Sequence, residues 1–175
     1  MKTSLLVEYI REVKDFPKVG ISFKDITPIL SSPEASSLVV NSFVEILKDK
    51  KIDAIVGVES RGFLFGMLLA NALNVPFVPV RKAGKLPADI ICEEYDLEYG
   101  TAKVEIHTDA IKDGWNVVIH DDLLATGGTA VAASKLVQRL GGNILSFLFV
   151  VELSFLDGRN NLLKFSEDIN SLIKY

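Results

Sequence analysis

Two hydrophobic patterns alternate along this chain. Ile52 to Val58, Phe77 to Val80 and Ile144 to Val151 are near-continuous apolar runs rich in β-branched residues, the pattern of strands buried on both faces of a parallel sheet. Val117-Val118-Ile119 opens another such strand, and Ile169 to Ile173 a short last one. Between these runs the spacing turns helical. Thr3 to Lys14 predicts an amphipathic helix with Leu6, Tyr9, Ile10 and Val13 on one face. Ser31, Ser32 and Pro33 open a helix running to about Lys50, with Leu38, Phe43, Ile46 and Leu47 among its apolar positions. Phe63 to Leu73 predicts a third. After Thr129 a fourth places Ala130, Ala133, Leu136, Val137 and Leu140 on one face and Ser134, Lys135, Gln138 and Arg139 on the other, and Gly141-Gly142 stops it. A short helix is expected near Leu162. In Ile90 to His107, Ile91, Glu93, Tyr95 and Leu97 alternate, as do Val104 and Ile106, and Gly100 sits near a turn, which predicts a β-hairpin. Phe16 to Pro28 carries two prolines and a glycine and is read as irregular. Alternating strands and helices give an α/β fold, a parallel β-sheet flanked by helices, with ligands at the carboxyl ends of its strands.

The stretch richest in chemistry is Val117 to Thr129. An apolar strand runs into Asp121-Asp122, then into a small-residue turn, Ala125-Thr126-Gly127-Gly128-Thr129, and then directly into a helix. Glycines let backbone N–H groups close on an anion, and a helix N-terminus adds partial positive charge, so the turn is suited to a phosphate. The hydroxyls of Thr126 and Thr129 add donors. Asp121 and Asp122 repel phosphate but accept hydrogen bonds from neighbouring hydroxyls, as on a ribose. Taken on spacing alone, this reading stands level with a plain strand-to-helix turn whose acids cap the helix. A second strand–loop–helix junction, Glu59-Ser60-Arg61-Gly62, places a guanidinium where it would meet a phosphate oxygen, although an Arg in such a position is more often a surface ion pair. Arg81-Lys82-Ala83-Gly84-Lys85 packs three cations around a glycine after a strand, which suits either a solvated loop or a lid over phosphates.

Composition narrows the classes. A chain of 175 residues, about half of them apolar, is expected to make one domain with a full-sized core. The net charge of −4 argues against a nucleic-acid coat. The lone Cys92 leaves no disulfide framework and suits a reducing, cytoplasmic setting. Charges within Met1 to Lys14 argue against a signal peptide, and Gly66, Asn71, Asn74, Pro76 and Pro79 break up the most apolar segment, which argues against a membrane span. Gly-x-Gly-x-x-Gly and Gly-x-Ser-x-Gly patterns are absent, and His107, His120 and Cys92 form no metal-ligand set.

The string Asp121-Asp122-Leu123-Leu124-Ala125-Thr126-Gly127-Gly128-Thr129 resembles the phosphoribosyl-pyrophosphate (PRPP) signature of type I phosphoribosyltransferases, and its wording that of the adenine phosphoribosyltransferases in particular. Three further segments resemble that family in the same order: Phe16 to Pro28, Glu59 to Gly62 and Tyr95-Asp96-Leu97-Glu98-Tyr99-Gly100. The likeness runs from about Phe16 to Arg159. It implies one domain over residues 1–175, with a small N-terminal hood at 1–33 and a flexible β-hairpin lid at 81–107. The implied reaction joins adenine and PRPP to give AMP and pyrophosphate through an oxocarbenium-like transition state, with Mg2+ carried on the substrate and no metal held directly by protein. Asp121, Asp122, Ala125, Thr126, Gly127, Gly128 and Thr129 would then hold the ribose phosphate. Glu59, Ser60, Arg61, Arg81, Lys82 and Lys85 would meet pyrophosphate, with a strained, often cis, peptide expected at Glu59–Ser60. Phe23 would stack on adenine, and the backbone at Ser22 and Lys24 would bond its edge. Glu98 would handle a proton at the purine N7, and Tyr99 would help close the lid. A homodimer is implied, with Arg61's loop near the subunit contact. The family more often has an aliphatic residue at Ser22, Arg at Lys24, and Pro or a basic residue at Ala83. Two other readings remain at this point: a purine-responsive regulator that only senses PRPP, which would need a DNA-binding extension and a basic face, and a related transferase for 6-oxopurines.

Overall fold

The computed structural model describes residues 3–96 and 101–175. A short 3-10 segment, Thr3–Tyr9, leads into β1 (Arg11–Lys14), which pairs antiparallel with β2 (Ser22–Asp25). The helix predicted over Thr3 to Lys14 forms only as 3-10 turns over Thr3–Tyr9 and gives way to a strand. Arg11 to Lys14 find strand partners instead, with Val13 opposite Phe23, and of the four apolar residues on the expected face Leu6 is the one fully buried. Phe16 to Pro28 is also more regular than expected, since it contains β2 and the start of α1 (Thr27–Leu30). In α2 (Pro33–Leu47) the start follows the sequence signals: Ser32 caps it by accepting from the Ala35 N–H at 3.2 Å, and Pro33 and Glu34 occupy the first turn.

The remaining elements are β3 (Ala54–Val58), α3 (Gly62–Leu73), β4 (Phe77–Lys82), β5 (Ile90–Asp96), β6 (Thr101–His107), β7 (Asn116–Leu124), α4 (Gly128–Arg139), β8 (Asn143–Glu152), α5 (Gly158–Leu162) and β9 (Ile169–Lys174). Among the described residues seven strands form one sheet in the order β5-β6-β4-β3-β7-β8-β9. The five from β4 to β9 are parallel, while the β5–β6 hairpin joins β4 antiparallel. Alternation along the central strands divides the core. Val56, Val117, Ile119, Phe147 and Phe149 pack toward α4, against Ala133, Leu136 and Val137. Ile55, Val118, Leu148 and Val150 pack toward α2 and α3, against Val39, Phe43, Phe65 and Leu69. Both faces are apolar, hence the unbroken hydrophobic runs. Ser134, expected on the polar face of α4, is buried; its hydroxyl donates to the Ala130 carbonyl at 2.7 Å, which satisfies it inside the helix.

His120 sits in this core one residue before the acidic pair. Its ring meets Phe43 edge-on, and Nδ1 donates to the Leu148 carbonyl at 2.9 Å, leaving Nε2 without a partner. Burial holds its imidazole down at about 4, against the smaller upward pull of that hydrogen bond and of Asp122. The unfolded chain takes up this proton below about pH 6.5 while the native chain stays neutral down to about pH 4. Stability from this group is therefore complete above pH 6.5 and lost as pH falls through that window. Wild-type protein is expected to lose about 3 kcal/mol more unfolding free energy between pH 7 and pH 4 than His120→Phe does. Urea titrations at both pH values measure the difference, and parallel losses in the two proteins would contradict it.

Candidate active site

Because β3, β4 and β7 run parallel and adjacent, their carboxyl ends open on one edge of the sheet, where α/β folds place ligands. A cleft of about 330 Å³ lies there, lined by Glu59, Ser60 and Arg61 after β3, Lys82 from β4, Tyr95 from β5, and Asp121, Asp122, Leu123, Ala125 and Thr129. A smaller hollow of about 70 Å³ adjoins it, formed by the Leu124–Ala130 turn with Asp121 and Phe149.

The acidic pair does not end β7, as its sequence suggested; the strand continues to Leu124. Consecutive strand residues point to opposite sides, and the two carboxylates have different surroundings. Asp122 is buried and receives Arg61 Nε at 2.5 Å. Asp121 lines both hollows and accepts from the Asp122 N–H at 2.8 Å. Burial pushes the Asp121 carboxyl well above the usual carboxylate range, and the neighbouring Asp122 charge adds to the shift. A carboxyl in that state gains from any cation or hydroxyl donor that enters the cleft. Gly62 permits the close fit: a Cβ there would stand 2.8 Å from the His120 carbonyl and 3.1 Å from the Asp121 Cα.

After β7 the chain turns at Gly127, with φ of 82°, and enters α4 at Gly128, so the first N–H groups of this helix face the smaller hollow's turn. The turn is backed by α5. Asn161 donates to the Thr126 carbonyl at 2.9 Å, and Gly158 lies so close that a Cβ would fall 2.0 Å from the Ala125 carbonyl. The salt bridge of Arg159 with buried Glu152, at 2.6 Å, fixes that backing segment to β8.

On the opposite wall, Glu59 accepts from Arg81 Nε at 3.1 Å and from the Lys82 N–H at 2.9 Å. Burial opposes the Glu59 charge, but those donors outweigh it and hold its carboxyl below the ordinary value. The Glu59–Ser60 peptide is cis, as expected from the sequence. Arg81 spends its guanidinium on Glu59 and on the Lys85 carbonyl at 3.2 Å. Of the three cations in this basic loop, Lys82 is the one that lines the cleft, and Lys85 is exposed. Arg61 is not free either, since Asp122 holds it.

The β1–β2 hairpin reaches the same edge through Phe23, whose ring lies 5.9 Å from the Arg61 guanidinium and meets Phe16 edge-on at 5.3 Å. The Ser22 and Lys24 side chains turn to Glu12, at 2.5 and 3.4 Å, and Lys24 also rests over the Tyr175 ring. Glu98 and Tyr99 lie outside the described residues, between Asp96 and Thr101. Among the described residues no three His, Cys, Asp or Glu side chains gather as a metal site. No described helix is long and apolar enough to cross a membrane.

A strand–turn–helix junction suited to a phosphate, paired carboxylates suited to hydroxyls and one lysine of the basic loop share this edge of the sheet, the set of groups a phosphoribosyl-transfer fold would need. In agreement, residues 25–152 match the phosphoribosyl transferase domain. The adenine phosphoribosyltransferase of Christiangramia forsetii is 55% identical over 170 residues, 97% of this chain and 98% of that protein. The crystal structure of the adenine phosphoribosyltransferase of Thermoanaerobacter pseudethanolicus superposes with a TM-score of 0.95 at 53% identity, covering 99% of each chain. The Saccharomyces cerevisiae adenine phosphoribosyltransferase, solved with an imino-altritol bisphosphate and adenine, gives 0.91 at 45% identity over 97% of each. The chain belongs to the adenine phosphoribosyltransferase family.

Proposed function

We propose that this protein joins adenine to the phosphoribosyl group of PRPP, yielding AMP and pyrophosphate in purine salvage. The observation that carries this reading is the Asp121-to-Thr129 strand–turn–helix, opposite the Glu59–Arg61 loop across one cleft, in a chain 55% identical to an adenine phosphoribosyltransferase. In this reading the 5-phosphate sits in the Ala125–Thr129 turn, where N–H groups and hydroxyls converge. Asp121 and Asp122 accept from the ribose hydroxyls. Pyrophosphate lies toward Glu59–Arg61 and Lys82, and Lys85 and Arg81 add positive charge. Phe23 covers the base, with Ser22 and Lys24 offering backbone groups to its edge. Ribose C1 becomes oxocarbenium-like as its bond to pyrophosphate lengthens, and adenine N9 forms the new bond.

Magnesium would be carried by PRPP rather than held by a protein ligand set. Oxygen donors suit this hard ion, and the raised Asp121 carboxyl is the kind of group a nearby dication returns to its charged form. Bound to pyrophosphate, it would neutralise charge on the leaving group. The working enzyme is a cytoplasmic homodimer. The support for a dimer is the outer face of α3, which follows the Arg61 loop and leaves Leu64, Met67 and Leu68 about half exposed. Light scattering is expected to give twice the 19.2 kDa of the chain. A fully active monomer would overturn this.

The test of the reaction is a coupled product count. AMP and pyrophosphate should appear one for one, and only with adenine, PRPP and magnesium together. Nucleotide without pyrophosphate, or none at all, would refute it. Asp121→Asn and Asp122→Asn probe the ribose contacts. Losing a charged acceptor costs about 1.5–3 kcal/mol each, so kcat/KM for PRPP is expected to fall roughly 10- to 150-fold. Asp121→Asn should fold normally, since it removes a charge that burial already disfavours. Unchanged PRPP kinetics in both variants would leave these acids a structural role only.

A further inference from the structure

In β6, Val104 and Ile106 point into the core, so Glu105 between them faces the other side of the sheet. An acid in that place would ordinarily reach solvent, yet Glu105 is 3% exposed. The chain after β4 folds over it. Three consecutive backbone N–H groups close on its carboxylate: Gly84 at 2.9 Å, Lys85 at 2.8 Å and Leu86 at 2.6 Å. Gly84 has φ of 81°, the left-handed conformation that lets successive N–H groups converge on one anion. Burial opposes the charge, but the three donors outweigh it and hold the Glu105 carboxyl below its ordinary value. Arg81, opposite Glu105 in the β4–β6 register, ties the Lys85 carbonyl to Glu59.

The basic loop is thus a nest already filled from inside. The Gly84, Lys85 and Leu86 N–H groups are spent on Glu105 and are not offered to a substrate anion. Charge recognition is left to side chains, and Lys82 is the one in the cleft. We infer that Glu105 is a positioning residue for pyrophosphate: it fixes the backbone of the 82–86 loop so that the Lys82 ammonium group meets the pyrophosphate of PRPP. This rests on the proposed placement of pyrophosphate against that loop.

Glu105→Gln keeps the side chain's size but replaces one acceptor oxygen with a donor that faces N–H groups. In this variant KM for PRPP, and KM for pyrophosphate in the reverse direction, are expected to rise at least about 10-fold, with KM for adenine within about twofold. A merely structural role would lower thermal stability without this split. If Glu105 acts through Lys82, the Glu105→Gln/Lys82→Ala double variant should be hardly worse than Lys82→Ala. A folded Glu105→Gln protein with unchanged KM for PRPP, beside a Lys82→Ala protein in which it rises, overturns the inference alone. If Lys82→Ala and Lys85→Ala both leave KM for PRPP unchanged, the pyrophosphate placement itself fails, and the inference with it. Should Glu105→Gln not fold, Glu105→Asp, which withdraws the carboxylate by one methylene, is read against the same two outcomes.

Discussion

Replacing Glu98 with Leu is expected to lower turnover on adenine about 10²- to 10⁴-fold, the usual contribution of a positioned acid or base, while PRPP binding survives. The assignment rests on Tyr95 to Gly100, which resembles the family's loop motif, and on the position of Tyr95, which lines the cleft three residues before it. Attack by N9 leaves the base with a proton it must lose on the way to AMP. A carboxylate at N7 accepts that proton, or returns it in the reverse reaction. Leu can do neither. Gln still hydrogen-bonds, so Glu98→Gln should lose less affinity for adenine than Glu98→Leu. In the proposed placement PRPP contacts Asp121 to Thr129 and the Arg61 loop instead, so the dissociation constant for PRPP, measured calorimetrically, should be little changed in both variants. Near-normal turnover in Glu98→Leu would make Glu98 a surface carboxylate whose proton goes directly to water.

How far the chain could be read depended on whether the deciding partner was near in sequence. The β7–turn–α4 unit announces itself because all its signals, an apolar strand, small residues and helical spacing, lie within 25 consecutive residues. The start of α2 is equally local, written in Ser32, Pro33 and Glu34. β1 is not legible locally because Arg11-Glu12-Val13-Lys14 has no strand signature of its own; it pairs with β2. In the site, residue types were visible but their engagements were not. Arg61 reads either as a phosphate-binding cation or as a surface ion pair, and its partner, Asp122, lies 61 positions later and is buried. Arg81 reads as part of a solvated loop or a lid until Glu59 is seen beneath it. Glu105 lies between Val104 and Ile106 in an alternating strand, and alternation alone predicts exposure; the loop that covers it comes 20 positions earlier, before β5. Gly158 and Asn161 brace the Ala125–Thr129 turn from more than 30 residues away, and nothing in their local sequence points to that contact.

Adenine should be preferred over hypoxanthine and guanine by roughly 10⁴-fold in kcat/KM, the discrimination reached when a site pairs a specific polar edge and a wrong partner leaves buried groups unpaired. Two elements set this preference. In the proposed reading the β1–β2 hairpin, with Phe23 beside Arg61, would bring backbone donors and acceptors to one base edge. Leu97-Glu98-Tyr99 would meet the base from the hairpin. Pairing through backbone would leave the base preference independent of the Ser22 and Lys24 side chains, both of which are occupied by Glu12. A 6-oxopurine presents an acceptor where adenine has a donor, and a fixed backbone cannot reverse its own polarity. The most direct measurement is a single-tube competition: protein, magnesium, limiting PRPP and equal concentrations of adenine, hypoxanthine and guanine, with the nucleotides separated and identified. The expected product is AMP with no more than traces of IMP or GMP. Comparable amounts of IMP or GMP, or no nucleotide at all, would contradict an adenine-specific transferase.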